Sequence, residues 1–424
     1  MDLLKRLFKG DKVIWVVFML LCLISIVEVF SAASTLTYKS GDFWAPISQH
    51  SLYIIFGVGI VLGVHKIPCK LFRLIPVITL PTSVILLIIT MVFGEKVNGA
   101  GRWLPPIFGI QFQPSELAKM AVITSVALIL SMTQEKDNAN PKAFKYIMII
   151  TTLVCALIAP ENFSTAALLF GVVVLLMFIG RVPLRQLGKM FGIIFIILGS
   201  FASIAWVTPD EVLDKIPGLH RVTTWKHRIA EFSTSEVAPE EYDIDKNAQK
   251  AHANIAIATS HLIGKMPGNS VERDFLSQAF SDFIFAIIIE ELGLLGGASV
   301  IFLYLILLIR VGRIAGQCPK KYLSFMIMGI AILLVAQALL NMMVAVGLFP
   351  ITGQPLPFIS KGGTSTLINC MYIGIILSVS RYIEKMRESE SLQSLDNEIV
   401  TLQEEIPLIM DSSQTKSTDN IIPQ

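Results

Sequence analysis

The sequence predicts an all-α integral membrane protein with ten transmembrane helices, and three observations support this fold class. Of the 424 residues, 54% are hydrophobic and only 16% are charged, and the mean hydropathy is +0.68. Long apolar runs recur along the chain, and a bilayer core about 30 Å thick needs about 20 such residues per helix. Basic residues fall on alternate flanks of these runs, as they do in multi-pass proteins. This composition excludes an ordinary soluble globular protein.

Ten hydrophobic segments fit this fold class. They lie near 13–33, 50–65, 74–94, 114–132, 144–159, 164–180, 190–208, 283–310, 323–349 and 366–383. The second, fifth and sixth are short, which favours a tilted, extended or partly re-entrant course. The first lacks a small-residue cleavage site, so we expect a retained anchor helix rather than a cleaved signal peptide.

The lysines and arginines predict which helix ends face the cytoplasm. Basic clusters occupy every second flank, near residues 5–12, 66–73, 136–145, 181–189, 310–321 and 381–387. Short loops rich in these residues stay on the cytoplasmic side. We therefore expect both termini in the cytoplasm and the large loop between spans 7 and 8, residues 209–281, outside it.

Composition changes sharply after residue 387. The membrane domain is predicted to cover residues 1–387, and the tail, residues 388–424, holds eight acidic residues and one lysine. Such a segment is typical of disorder, so we expect a mostly disordered cytoplasmic tail with at most a short helix near 393–405. The five cysteines match neither a disulfide framework nor a zinc pattern. A net charge of +2 gives no reason to expect a nucleic-acid partner.

An ionisable side chain inside a span is costly unless it faces a partner or a wet cavity, so polar residues there are candidates for function. The first cluster joins an outer loop, 98–104, that contains Arg102 to a helix start at 111–119. Glu116 and Lys119 are three residues apart on one helix face and are therefore expected to pair. We favour a pair that lines a polar cavity, because buried pairs are a poor source of stability. A structural ion pair that locks the bundle remains open.

The second cluster follows Asn341 and occupies residues 347–365. Three prolines and four glycines in this stretch exclude a continuous helix. Irregular backbone at membrane depth is tolerated only where protein or a water-filled cavity covers it. The amides around Gly362 and Gly363 are candidates for an anion-binding nest. A plain re-entrant turn is the alternative, and Lys361 favours a phosphate or pyrophosphate contact over it.

The third cluster is the outer segment, residues 209–281, together with Asp282, which directly follows it. This carboxylate precedes a long apolar run, which places it where water, lipid headgroups and protein meet. A base that acts on a lipid-linked substrate is needed at such a position. Lys265, in the same segment, is a candidate substrate or cavity residue that would attract an anionic lipid head, and a lysine that merely borders the headgroup layer is the alternative.

Glu290 and Glu291 follow Asp282 by eight and nine residues, or roughly 12 Å along a helix. Two adjacent glutamates cannot both face lipid, so at least one is expected to point inward and to be paired or protonated. We assign them to structure or gating. Four histidines also lie in or next to the outer segment, but their spacing matches no compact metal motif and favours solvated side chains. These are His220, His227, His252 and His261.

Taken together, these motifs resemble the SEDS family (shape, elongation, division and sporulation), which includes FtsW and RodA. The resemblance extends over residues 10–385 in the expected order. It rests on 101–104 (Gly-Arg-Trp-Leu), 113–119 (Gln-Pro-Ser-Glu-Leu-Ala-Lys), 282–286 (Asp-Phe-Ile-Phe-Ala), 290–293 (Glu-Glu-Leu-Gly), and 350–363 with its Pro-Ile-Thr-Gly and Leu-Pro-Phe-Ile-Ser strings. It implies a ten-helix fold and a peptidoglycan glycosyltransferase that polymerises lipid II into glycan strands.

The resemblance also implies residue roles. Asp282 matches the essential outer-face aspartate, the proposed general base of the family. Cavity or substrate roles are implied for Glu116 and Lys119, the intramembrane pair, for the loop arginine Arg102, and for a Ser-Tyr-Gly-Gly loop that corresponds here to Ser360, Lys361, Gly362 and Gly363. Lys361 stands where the family usually has tyrosine.

Partners and location follow from the same resemblance. It implies lipid II and the nascent glycan strand as substrates, a class B penicillin-binding protein and other division proteins as partners, and the bacterial inner membrane at the septum as location. A divalent cation, Mg²⁺ or Mn²⁺, is one candidate for neutralising the pyrophosphate leaving group. Chain length and the loop 359–365 favour an FtsW-like over a RodA-like member. A lipid II flippase and a non-catalytic division scaffold remain alternatives.

Overall fold

The computed structural model describes residues 8–32, 45–97, 100–105, 111–135, 139–208, 248–276 and 279–418. Its described helices include one for each of the ten predicted segments. They are α1 (Lys12–Ala32), α2 (Ala45–Val64), α3 (Leu74–Phe93), α4 (Pro114–Thr133), α5 (Pro141–Ile158), α6 (Phe163–Ile179), α7 (Leu184–Val207), α9 (Ile284–Gln317), α10 (Lys321–Ala345) and α11 (Thr364–Thr418). The outer segment contributes α8 (Ala248–Ala258), and β1 (Glu95–Val97) pairs antiparallel with β2 (Ala100–Trp103).

The all-helical membrane fold is confirmed. Seven of these helices are long and apolar enough to cross a membrane, namely α1, α3 with the 3₁₀ turn before it, α4, α5, α9, α10 and the first part of α11. Two shorter apolar helices are Ser48–Val64 and Phe163–Ile179. The exact number of ten crossings and the cytoplasmic position of both termini stay predictions.

Local sequence explains where several helices begin. Proline occupies the first helical position of α4 and of α5, where its missing amide hydrogen removes no helical hydrogen bond. Asn140 caps α5 by accepting from the amide of Lys142 at 3.0 Å, and Asn162 caps α6 by accepting from the amide of Thr165 at 3.2 Å. These caps fix where α5 and α6 begin.

Helices α4 and α10 lie at the centre of the bundle and pack against each other and against α6. Gly329 of α10 permits the close approach. A Cβ at this position would lie 2.8 Å from Ile123 Cγ2 and 2.9 Å from Leu176 Cδ2. Small residues at helix contacts serve the same purpose in other membrane bundles. Large apolar side chains such as Phe93 and Phe195 remain exposed on α3 and α7, as expected of a lipid-facing surface.

The predicted span 283–310 is not one continuous helix, because α9 breaks at Gly293, where φ is 74°. Two amides of the outer segment donate to the freed carbonyls of Glu290 and Glu291, at 2.9 and 2.8 Å. A Cβ on Gly293 would lie 2.3 Å from the carbonyl oxygen of Leu262, so no larger residue fits. The part after the break, 294–317, is about 36 Å long at 1.5 Å per residue and is sufficient to cross a bilayer alone.

The C-terminal tail also differs from expectation. Helix α11 continues through the acidic segment to Thr418, whereas we expected disorder with at most a short helix near 393–405. Residues 388–418 contain no glycine, and 12 of the 31 are glutamate, leucine or glutamine, which favour a helix, although six serines and Pro407 also lie within it. Residue 387 therefore marks a change of composition but not the end of a helix.

Candidate active site

The loop between α10 and α11, residues 346–363, enters the helix bundle and forms half of the candidate site. The ring of Phe358 packs edge-to-face on Phe18 of α1, with centroids 5.6 Å apart. The hydroxyl of Tyr304 in α9 donates to the carbonyl of Pro357. Both partners lie well inside their helices, so the loop reaches the protein interior. This confirms the predicted irregular segment and shows that protein covers it.

Ser360 connects this loop to the residues immediately before Asp282. Its buried hydroxyl donates to the carbonyl of Ser281 at 2.7 Å and accepts from an amide of its own loop at 2.8 Å. The amide of Lys361 donates to the carbonyl of Phe280 at 3.0 Å. Two motifs that are far apart in the sequence therefore meet here. The hydroxyl of Ser360 holds the loop against the segment that carries Asp282.

Asp282 is half-buried and lies just before the first turn of α9. Its carboxylate accepts from the hydroxyl of Ser281 at 3.1 Å. The side-chain amide of Asn341 donates to the Asp282 carbonyl at 3.0 Å and to the Gln354 carbonyl at 2.8 Å. Asn341 thus ties the start of α9 to the re-entrant loop. The backbone at and before Asp282 is therefore held in place, and the hydroxyl of Ser281 contacts its carboxylate.

Glu116 and Lys119 form the predicted pair, with 2.8 Å between Lys119 Nζ and Glu116 Oε1. Lys119 also donates to Gln337 Oε1 at 2.8 Å, and Gln337 Nε2 donates to the carbonyl of Pro355 at 3.0 Å. The chain of contacts therefore runs from α4 through α10 to the re-entrant loop. Both charged side chains are buried, at 2% and 0% exposure. Because both side chains are enclosed, the structure favours a structural ion pair. The cavity-lining pair that we expected from the sequence is less consistent with this burial.

Sequence reasoning missed three members of this polar network. They are Gln337, Gln354 and Thr165. Gln354 Nε2 donates to Thr165 Oγ1 at 2.6 Å, which brings α6 into the network. Gln337 had a usable signal, because it lies four residues before Asn341 in an apolar span and so shares its helix face. Gln354 lies in the stretch 347–365 that the sequence had already singled out, whereas Thr165 had no comparable pattern.

Lys361 is a cation next to the contact between the re-entrant loop and the segment that carries Asp282. It is half-buried, and its Nζ lies 5.8 Å from the centroid of the Phe280 ring. Within the described part of the chain it forms no ion pair. Burial lowers the pKa of Lys361 below the ordinary value of a lysine, because the charged form loses hydration. An incoming anion would compensate this loss.

The glycines after Lys361 keep part of the predicted nest. Gly363 has φ of 50°, and the amides of Gly362 and Gly363 make no hydrogen bond to the described residues. The amide of Lys361 itself is already bonded to Phe280. The remaining amides precede the first turn of α11, whose helix dipole also favours an anion.

Glu290 and Glu291 of α9 are buried in a separate polar cluster, where α9 contacts the outer segment. Lys265 Nζ lies 2.7 Å from Glu290 Oε1, and the hydroxyl of Ser270 donates to Glu290 Oε2. Glu291 accepts from the Ser270 amide at 3.3 Å, and Arg273 lies 3.9 Å away. The contacts support the structural assignment of both glutamates. Lys265 belongs with them rather than with the cavity residues, because Glu290 neutralises it.

Glu28 of α1 was missed as well. It is fully buried, and neither carboxyl oxygen has a hydrogen-bond partner among the described residues. It is the one acidic residue of the predicted first span, which was a sufficient signal to single it out.

Other candidates of the outer segment are placed only in part. The prediction of solvated histidines is wrong for His252, because its Nδ1 lies 2.6 Å from Glu272 Oε2 and its ring stacks on Phe275 at 5.0 Å. His261 is exposed as expected. Among the described residues, no group of three or more His, Cys, Asp and Glu is placed to hold a metal. His220 and His227 lie outside the described residues. The backbone of Arg102 lies on β2, but its side chain also lies outside the described part.

The fold and the site define a multi-pass helical membrane protein with a re-entrant polar loop locked against an aspartate at a helix start. A family model described as "Cell cycle protein", which covers FtsW, RodA and SpoVE, matches residues 11–385. The chain belongs to this family.

Individual relatives agree with this assignment. The chain is 30% identical over 373 residues to the "Probable peptidoglycan glycosyltransferase FtsW" of Nitrosomonas europaea, covering 85% of this chain and 90% of the relative. It is 28% identical to the protein of the same name in Coxiella burnetii, covering 86% and 95% of the two chains.

Solved structures share the fold. One, described as "Structural coordination of polymerization and crosslinking by a peptidoglycan synthase complex", has a TM-score of 0.69 at 21% identity and covers 89% of this chain and 99% of that chain. The rod shape determining protein RodA of Thermus thermophilus has a TM-score of 0.59 at 22% identity and covers 89% and 98%.

Proposed function

We propose that this protein is an FtsW-like peptidoglycan glycosyltransferase that polymerises lipid II into glycan strands during septal wall synthesis. The observation that carries the proposal is the junction at Asp282. There, the hydroxyl of Ser281 donates to the Asp282 carboxylate just before a helix start, while Asn341 and the re-entrant loop hold the backbone of this segment. The names of the FtsW relatives support the same activity.

In the proposed reaction Asp282 is the general base. An acceptor sugar hydroxyl attacks the anomeric carbon of the donor, and its proton passes to the Asp282 carboxylate. The bond from the anomeric carbon to the pyrophosphate oxygen breaks, and undecaprenyl pyrophosphate leaves with the electron pair. Attack opposite the leaving group inverts the anomeric centre and requires no covalent intermediate.

The leaving pyrophosphate needs positive charge or hydrogen-bond donors. Lys361 and the amides of Gly362 and Gly363 are suited to this task, since they lie beside the segment that carries Asp282. A divalent cation remains a proposal. Asp282 and substrate phosphates together are an ordinary ligand set for Mg²⁺, but the described residues offer no group of three ligands, and no step is assigned to the ion.

The setting of the reaction is proposed from charge and family. Basic flanks favour cytoplasmic termini and an outer position for Asp282. A class B penicillin-binding protein is the proposed partner, together with other division proteins, at the septum of the inner membrane. A RodA-like role in elongation is the second candidate, and the FtsW names of the relatives favour the first.

Purified full-length protein reconstituted with lipid II tests the activity. We expect glycan polymers on gels, with and without a class B penicillin-binding protein, and with divalent cation or chelator in parallel. A parallel vesicle assay measures transport of a fluorescent lipid II. Transport without polymer under every condition would support a flippase instead, and neither transport nor polymer with the partner present would support a scaffold.

The pH dependence of polymerisation reports on Lys361. Because burial lowers its pKa, the ammonium that contacts the pyrophosphate is lost at a lower pH than for an ordinary lysine. We expect Lys361→Arg, which stays charged, to move the alkaline fall of kcat/KM to higher pH. Lys361→Met is expected to lower kcat/KM at neutral pH by at least about tenfold, the loss of one charge-assisted contact. If the fall of kcat/KM at high pH is the same in Lys361→Arg as in wild type, Lys361 does not supply the charge that contacts the pyrophosphate.

A further inference from the structure

A second cationic site lies at the opposite end of the bundle from Asp282. Helix α10 runs from this end, at Lys321, to Asn341 beside Asp282. A cavity of about 640 Å³ opens there between the starts of α3 and α10 and the end of α4. Among the described residues that line it there is no carboxylate. The lining includes four cations, Lys70, Arg73, Lys320 and Lys321.

No described carboxylate neutralises these four cations. Within the described part of the chain none of them forms an ion pair, and Lys320 lies over the ring of Tyr382 at 4.8 Å. A neighbouring cavity of about 680 Å³ provides a comparison, since its arginines are accompanied by acids and Arg310 pairs with Asp11 at 2.6 Å. Basic flanks alone account for lysines and arginines at this end. They do not account for an unbalanced set around one cavity.

The cavity borders a surface suited to lipid chains. Met132 in its lining is 76% exposed, and Leu71 and Leu74, which follow the lining residues Lys70 and Arg73 in the sequence, are 50% and 51% exposed. Helices α3 and α10 begin here and α4 ends here, so two positive helix-dipole ends and one negative end face this space, a net positive contribution. Tyr322 is fixed in the wall by donating to the Phe72 carbonyl at 2.7 Å. Positive charge beside exposed apolar side chains matches the two halves of a phospholipid.

We propose that this cavity binds the phosphate headgroup of an anionic phospholipid, in the leaflet that the charge pattern predicts to be cytoplasmic. Basic pockets between helix ends on that side are suited to phosphate-bearing lipid heads. The acyl chains lie along the apolar surface that begins at Leu71 and Leu74. Such a lipid would join α3 to α4 and α10, and the last two are the helices that carry the Glu116–Lys119–Gln337 chain.

Thermal unfolding of the purified full-length protein in neutral detergent measures this binding. Wild type, Arg73→Gln/Lys321→Gln and the control Lys142→Gln/Lys145→Gln are titrated with cardiolipin, phosphatidylcholine or inorganic phosphate. The control removes two exposed lysines at the start of α5, on the side predicted to be cytoplasmic, away from the cavity. A charge-retaining variant, Arg73→Lys/Lys321→Arg, tests whether the headgroup is recognised by the positive charges of the cavity or by the shapes of these two side chains.

Cardiolipin is expected to raise Tm for wild type, the control and the charge-retaining variant. For Arg73→Gln/Lys321→Gln the apparent affinity is expected to fall about 30-fold, the equivalent of about 1 kcal/mol for each cation. Phosphatidylcholine is expected to have no such effect, and inorganic phosphate not to compete at millimolar concentration. Equal cardiolipin affinity in all four proteins would overturn the proposal. If inorganic phosphate stabilises the protein as strongly as cardiolipin does, the cavity is a site for free anions and the lipid proposal is rejected.

Discussion

Asp282→Asn is expected to reduce lipid II polymerisation by about 10²–10⁴-fold, the usual contribution of a general base. Asparagine is nearly isosteric with aspartate but cannot accept the hydroxyl proton. The hydrogen bond from Asn341 goes to the Asp282 carbonyl, and the contacts of Ser360 and Lys361 go to neighbouring carbonyls. The substitution leaves these backbone contacts in place, so the fold is expected to persist.

Rates of polymer formation at saturating lipid II are the measurement. Asp274→Asn is the matched control, because it removes an exposed carboxylate of the same outer segment. We expect it to retain near-normal polymerisation. Elution volume and thermal unfolding check that Asp282→Asn is folded. Near-normal polymerisation by a folded Asp282→Asn protein would reject the assignment of the base, and intact lipid II transport alone would favour the flippase.

Lys119→Met is expected to destabilise the protein by about 3–5 kcal/mol, the usual result of removing one partner of a buried ion pair. Lys119 is fully buried, and its Nζ lies 2.8 Å from both Glu116 and Gln337. Without it the Glu116 carboxylate stays in the bundle interior with no compensating charge. One oxygen of Glu116 already has no hydrogen-bond partner among the described residues.

The double variant Glu116→Gln/Lys119→Met separates a general loss of packing from an uncompensated charge. We expect it to recover most of the lost stability, because no buried charge remains. Lys145→Met, at an exposed lysine of α5, is the control and is expected to change stability little. Unfolding is followed by intrinsic fluorescence in detergent. A Lys119→Met protein within about 1 kcal/mol of wild type would show that the pair is not an enclosed ion pair.

The hydrophobic pattern was enough to locate the helices. Each of the ten predicted segments corresponds to a helix, because apolar length is a local property of the chain. The pairing of Glu116 with Lys119 was equally accessible, since both lie on one turn of one helix. The break at Gly293, in contrast, could not be predicted from local sequence. It depends on two amides of a separate segment reaching the carbonyls of Glu290 and Glu291.

The role of Lys265 shows the same limit. Its sequence context, a lysine in a polar outer segment, is equally suited to a lipid contact and to an internal ion pair. Its partner, Glu290, is 25 residues away and became visible only once α9 and the outer segment were placed together. Likewise, the enclosure of Glu116 and Lys119 depends on Gln337 and the re-entrant loop, which local spacing does not specify.

By itself, the sequence determined the membrane class, the helical segments, the irregular loop 347–365 and the identity of the candidate base, Asp282. These follow from composition, local patterning and motif strings. Only the tertiary structure decided that Ser360, Asn341 and Lys361 converge on the Asp282 segment, and that four cations at the opposite end share one cavity. The reason is physical: hydrogen bonds and cavities between distant segments depend on how helices pack, and single-chain patterning contains no direct record of that packing.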